Sequence, residues 1–200
     1  MSNELVLAET RAWVERAVIG LNLCPFAKAP QVKGLVRYVV SGALDAEALL
    51  ADLVEELQLL AGSPENRVET TLLIHPHTLN DFMDYNDFLD VADAALAQLD
   101  LEGVLQVASF HPDYRFAGSA EDDPGNATNR SPYPTLHLLR EASIGRAVEA
   151  FPEAEAIFEA NIATLDRLGS AGWAALQQRC RDEAAMAVAA TRAGSPEGEP

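Results

Sequence analysis

Basic residues are scarce in this chain: 14 Lys and Arg stand against 31 Asp and Glu, a formal charge of −17 over 200 residues. A nucleic-acid binder draws most of its affinity from cations set against phosphates, and an anionic bilayer repels an acidic surface. The deficit argues against both partners, and its plainest role is solubility. Cysteine is sparser still. Cys24 and Cys180 are the only two and make no disulfide framework. Cys180 lies one helical turn after Leu176 and reads as core. No apolar run reaches the ~18 residues that a spanning helix needs. The opening MSNELVLAET has no basic stretch ahead of an apolar one, so no signal peptide is expected. The compartment expected by default is the cytoplasm.

What is present is periodic. Residues 4–20 place Val6, Trp13, Ala17 and the Val14/Val18 pair on one helical side. A loop with Pro25 and Pro30 follows, then a β-branched strand at 34–41. Asp45 is placed to cap a helix whose Leu49, Leu50, Leu53, Val54, Leu57 and Leu60 recur at helical spacing. Residues 68–75 read as a second strand. Thr78 or Asn80 then caps a helix striped by Phe82, Tyr85, Leu89, Ala92, Leu96 and Leu99. Residues 103–110 read as a third strand, and an aperiodic polar segment runs from His111 to Tyr133. Beyond it the chain reads as helical, with Pro134 and Pro152 in the first turns of two helices and Gly169 ending the second.

Strands alternating with helices predict an α/β fold. The sheet is expected to be small, mainly parallel and three- to four-stranded, covered by helices, with a helical C-terminal third. Residues 1–192 form one domain in this reading, and 193–200 a disordered tail.

Histidine is the informative rarity. Of four, His75 and His77 follow the second strand, His111 follows the third, and His137 comes just after the long loop. Ligands of open parallel sheets bind outside the carboxyl ends of strands. His75, His111 and His137 are therefore the candidate ligands of a divalent metal, with His77 as a further candidate beside His75. Against this stands a conformational reading, in which the His75-Pro76 pair simply ends a strand. If His137 opens a helix, the dipole there keeps it neutral. Glu141 then lies one turn on and can fix its tautomer. His111, His137 and Glu141 are the candidate acid–base group.

Arg115, Arg130 and Arg140 gather three of the chain's 12 arginines around this loop. With Asn129 and Tyr133 they form a candidate site for an anion. The alternative is that Arg130 braces the loop through backbone carbonyls and Arg140 pairs with a local carboxylate. Cys24, in LNLCPF, is a candidate nucleophile. It follows the end of a helix, where the dipole does not activate a thiol.

Three segments then form a recognisable set: LNLCPFA (Leu21 to Ala27), SFHPDYRFAG (Ser109 to Gly118) and TNRSPYPTLHLLRE (Thr128 to Glu141). With NDF and YNDFLD around the third helix, they resemble the bacterial family known as domain of unknown function 1415, over roughly residues 5–170. The resemblance implies a stand-alone bacterial cytoplasmic protein and carries no catalytic residue or cofactor with it. Two functional readings follow from the residues. One is a small enzyme acting on an anionic metabolite at a His/Arg site formed by the strand ends and the 111–141 loop. The other is a non-catalytic module that binds a small anion or a protein partner. Oligomeric state is not legible.

Overall fold

The computed structural model describes residues 1–150 and 156–194. Helix α1 (Asn3–Trp13) is capped by the Ser2 side chain and runs directly into a π-helical turn, Val14–Ile19. The widened turn brings backbone carbonyls so close to Gly20 that a Cβ there would collide with Arg16 O. A short helix α2 (Lys28–Val32) precedes strand β1 (Val36–Val40). Asp45 caps α3 (Ala46–Gly62), accepting from the Ala48 N–H at 2.8 Å, as its spacing from the leucines predicts. Strand β2 (Thr70–Ile74) is buried throughout. Helix α4 (Phe82–Gln98) is capped by Asp81, which accepts from Met83 N and Asp84 N, and not by Thr78 or Asn80. Asp81 stands immediately before the first helical residue in extended backbone, the geometry a capping carboxylate requires.

Strand β3 (Leu105–Phe110) leads into the long loop, which contains a 3₁₀ turn at Pro124–Asn129. The largest departure from the sequence reading comes next. Residues 135–140 do not open a helix behind Pro134. They form strand β4 (Thr135–Arg140), and helix α5 (Glu141–Ala150) begins only after it. The sheet order is β1-β2-β4-β3, with β1 and β2 parallel and β4 antiparallel to both β2 and β3. Three strands share one direction, as expected of an α/β fold, and the fourth is inserted among them in reverse.

The physical reason is backbone satisfaction. Without β4, β2 and β3 would each bury an open row of N–H and C=O groups. The sequence also fits a strand, since Leu136 and Leu138 point together into one core and are fully buried. That core holds Leu49, Leu53, Leu57 and Leu60 of α3, Tyr85 and Phe88 of α4, and Leu73 of β2. The opposite face of the sheet meets Trp13, Val14 and Ala17 together with Leu165, Trp173 and Leu176.

Those last three residues belong to α6 (Ile157–Gly194), which is interrupted at Gly169. Its φ of 65° and ψ of 170° fall in a region open essentially to glycine alone, so the expected helix stop is a sharp break. Pro152 and the tail beyond Gly194 lie outside the described residues, whereas Ala193 and Gly194 close α6.

At the end of β4, Arg140 is turned inward and buried. Its Nη2 donates to the carbonyls of Leu60 and Ser63 at 2.7 Å and of Val68 at 3.0 Å. The guanidinium thus caps the C-terminus of α3, where a cation also meets the negative end of the helix dipole. Arg140→Met should lower stability by roughly 3 kcal/mol, because it takes the charged donor from three carbonyls at a buried helix end, of which Leu60 O keeps only the Ser63 N–H. Arg140→Lys should recover only part of that loss. Urea unfolding midpoints check both, and an unchanged midpoint in the Met variant would remove the capping role.

Candidate functional site

His75 and His111 stand at the same rim of the sheet, after β2 and β3, as the strand ends predicted. Their rings are held by backbone groups of the segments that follow the strands. His75 Nδ1 lies 3.1 Å from the Thr78 carbonyl, which can only accept, so Nδ1 carries the proton and Nε2 keeps its lone pair. That Nε2 is buried without a partner, and the ring stacks on Tyr85 at 5.7 Å. His111 Nδ1 accepts from Asp113 N at 3.0 Å, so Nε2 donates to the Leu79 carbonyl at 3.2 Å. Both nitrogens of His111 are thus spent on folding the loop. His77 is exposed. Burial pushes the His75 pKa down to about 4 and lowers that of His111.

His137 is elsewhere. As a residue of β4 it projects from the face opposite Leu136 and Leu138, with Leu72 and Ala108 as its cross-strand partners. The expected triad of His75, His111 and His137 is therefore not assembled. No group of three or more His, Cys, Asp or Glu is placed to share a metal among the described residues. The expected His137–Glu141 pair also dissolves, because the helical turn that would have stacked them is a strand.

The loop arginines divide similarly. Arg130 donates to the carbonyls of Tyr114 (3.2 Å) and Glu121 (2.9 Å), bracing the loop. Asn129 donates to Ser109 O at 3.0 Å, and the Tyr133 hydroxyl donates to Glu9 Oε2 at 2.6 Å. Arg115 is exposed, and Arg140 caps α3 rather than pairing with a carboxylate. These residues hold the segment together and do not converge on a common anion position.

What the sequence did not disclose is a cavity of about 740 Å³ on the His137 face of the sheet. Its floor is Thr70, Leu72, Ala108, Phe110 and His137. Its walls come from the π turn (Val14, Val18), the proline-rich segment after it (Cys24 to Pro30) and one side of α5. The proline-rich segment is held off the sheet at both ends. Asn161 donates to Leu23 O at 2.9 Å, the Tyr38 hydroxyl donates to Gln31 Oε1 at 2.7 Å, and Gln31 Nε2 donates to Glu15 at 3.1 Å. Apolar side chains in a proline-punctuated loop were the available signal, since such a loop must cover something.

The polar centre of the cavity is a pair. The Thr70 hydroxyl lies 2.6 Å from the Leu138 carbonyl and 2.8 Å from His137 Nε2. Its one proton goes to the carbonyl, so Nε2 must donate to Oγ1, and the neutral ring keeps its lone pair on Nδ1. Burial pushes the His137 pKa down to about 4. Cys24, on the wall, has its thiol pKa raised by burial, against a smaller lowering by the Phe26 and Ala27 N–H groups. It is a protonated, unactivated thiol at neutral pH.

The chain belongs to the family described as Protein of unknown function (DUF1415), whose signature covers residues 5–175. That span includes the four strands, the proline-rich segment and the cavity lining among the described residues. Comparison with curated proteins and with solved structures finds no match. No helix among the described residues is long and apolar enough to cross a membrane.

Of the three depressed histidines, His75 and His137 set the steepest acid limit on the fold. An ordinary pKa of 6.5 in the unfolded chain against about 4 in the folded one means that only the unfolded chain takes up protons between these values. Stability from this source is complete above pH 6.5 and is lost as pH falls toward 4, by a few kcal/mol in total. Thermal melting across pH 7.5 to 4.5 should show this fall. The double variant His75→Phe, His137→Phe should show a shallower one, and an equally steep profile in the variant would refute the assignment.

Proposed function

We propose that this protein binds a small, mainly apolar molecule in the cavity between the sheet and the proline-rich segment, with His137 Nδ1 as its polar anchor. The observation that carries this reading is a cavity within the ~300–1,000 Å³ range of small-molecule sites, with a neutral imidazole of fixed tautomer on its floor. Protein interiors are normally close-packed, so space of this size costs dispersion contacts that a bound molecule would restore. The π turn supports the same reading, because π segments occur frequently at functional sites and this one lines the cavity.

The reading selects between the two functions open at the level of sequence. An effective general base at neutral pH needs a pKa near 7. A ring held at about 4 is a hydrogen-bond acceptor rather than a proton carrier, which favours a binding module over an acid–base enzyme. It also moves the site from the 111–141 loop to the face of the sheet that carries His137. Nδ1 receives a donor, O–H or N–H, from a ligand that carries one, and the body of the ligand contacts Val18, Leu72 and Phe110.

The uncharged fluorophore N-phenylnaphthylamine should bind the wild-type chain with a blue-shifted, enhanced emission. Ala108→Trp, which adds a large ring beside His137 on the cavity floor, should abolish the enhancement while leaving the circular dichroism spectrum intact. Occupancy should also slow alkylation of Cys24. Equal dye binding by the wild-type and Trp variants would sink the proposal.

A further inference from the structure

We infer that the molecule held in this cavity is an amphiphile with a single acidic head, a carboxylate or phosphate monoester, placed at the mouth beside Lys33 and Arg146. The inference rests on the binding role proposed above and concerns which class of molecule is bound.

Charge carries the first part of the argument. Across the whole chain acidic residues outnumber basic ones 31 to 14. Among the described residues that line the cavity the ratio inverts: Lys33, Arg140 and Arg146 stand against Glu69. One of only two lysines in the chain stands here. Arg140 is committed to the carbonyls at the end of α3. Arg146 is exposed and shared with Glu65 at 2.9 Å. Lys33 is exposed and makes no ion pair among the described residues. The exposed cations Lys33 and Arg146 are thus at the rim, the latter shared with Glu65, whereas the interior offers one neutral imidazole and otherwise mostly carbon. A small polyanion fits that distribution badly, since its charge would be buried against an apolar floor. A molecule with one charged end and an apolar body matches both parts, with its head in the wet, cationic mouth and its body inside.

Helix α5 supplies the second part. It has no buried residue, yet Ser143, Ile144, Arg146 and Ala147 all line the cavity. One side of the helix therefore brings an aliphatic side chain and a cation to the same opening. An amphiphile entering here would cover Ile144 with its chain while its head meets Arg146. That arrangement accounts for an amphipathic helix whose Ile144 and Ala147 are only half-buried among the described residues.

The test is competition against bound N-phenylnaphthylamine by decanoate, decyl phosphate and decanol, each below its micelle-forming concentration. At least one of the acids should displace the dye at about tenfold lower concentration than decanol, and whichever acid is stronger identifies the head. In the double variant Lys33→Glu, Arg146→Glu this preference should disappear, with dye affinity and decanol competition unchanged. Both replaced residues are exposed, so folding is not at stake. Decanol competing as well as both acids, or a preference for acids that survives the charge reversal, overturns the inference while leaving the cavity a binding site. Absence of dye binding to the wild-type protein removes the binding role itself, and this inference with it.

Discussion

Strand β4 makes two ladders at once, and the rest of the molecule is arranged around that demand. β2 and β3 run the same way but are not neighbours, and β4, antiparallel to both, lies between them and satisfies both sets of backbone groups. Its alternation then distributes three roles along six residues. Leu136 and Leu138 close the core beneath α3 and α4. Arg140, on the same side, reaches the end of α3, and His137 faces the other way into open space. A slip of one residue in this register would exchange the two faces, burying the imidazole among leucines and exposing the leucines to the cavity. Core, helix cap and the orientation of His137 are therefore set by a single alignment.

The two faces of the sheet are finished differently. On one, leucines from α3 interlock with Leu73, Leu136 and Leu138, all with essentially no exposure. On the other, α1 and α6 pack through Trp13, Trp173 and Leu176 over only part of the sheet. The remainder is covered at a distance by a segment that Asn161, Tyr38 and Gln31 hold in position. A side chain on the first face is constrained by packing density. One on the second is constrained by what the cavity admits.

Much of this was legible in the chain, and the parts that were not share a cause. The leucine repeat and Asp45 disclosed α3 because both signals are local. The strand ends at His75 and His111 were legible for the same reason. TLHLLR was not, because a proline before it and a glutamate after it suit a helix start as well as they suit a strand. The choice was made by two strands distant in sequence that needed a partner. The site followed the same rule: His137 was recognised as a residue of interest, but Thr70, which fixes its tautomer, comes from another strand. Arg140 was singled out as a cation and assigned an anion, yet its partners are the carbonyls of a helix end that no local pattern connects to it.

The position of β4 in the chain also sets an order of events during synthesis. β1 and β2 can pair as soon as they emerge, with α3 packed across them, but Thr70 and Leu139 are separated by the whole middle of the chain. Until residue 140 has left the ribosome, β2 presents a strand built for burial with one unpaired edge, and β3 has no neighbour at all. Such edges are templates for pairing with another chain. The abundance of carboxylates on this protein then serves nascent chains as well as finished ones, because polyanionic neighbours on a polysome repel each other while the sheet waits for its central strand.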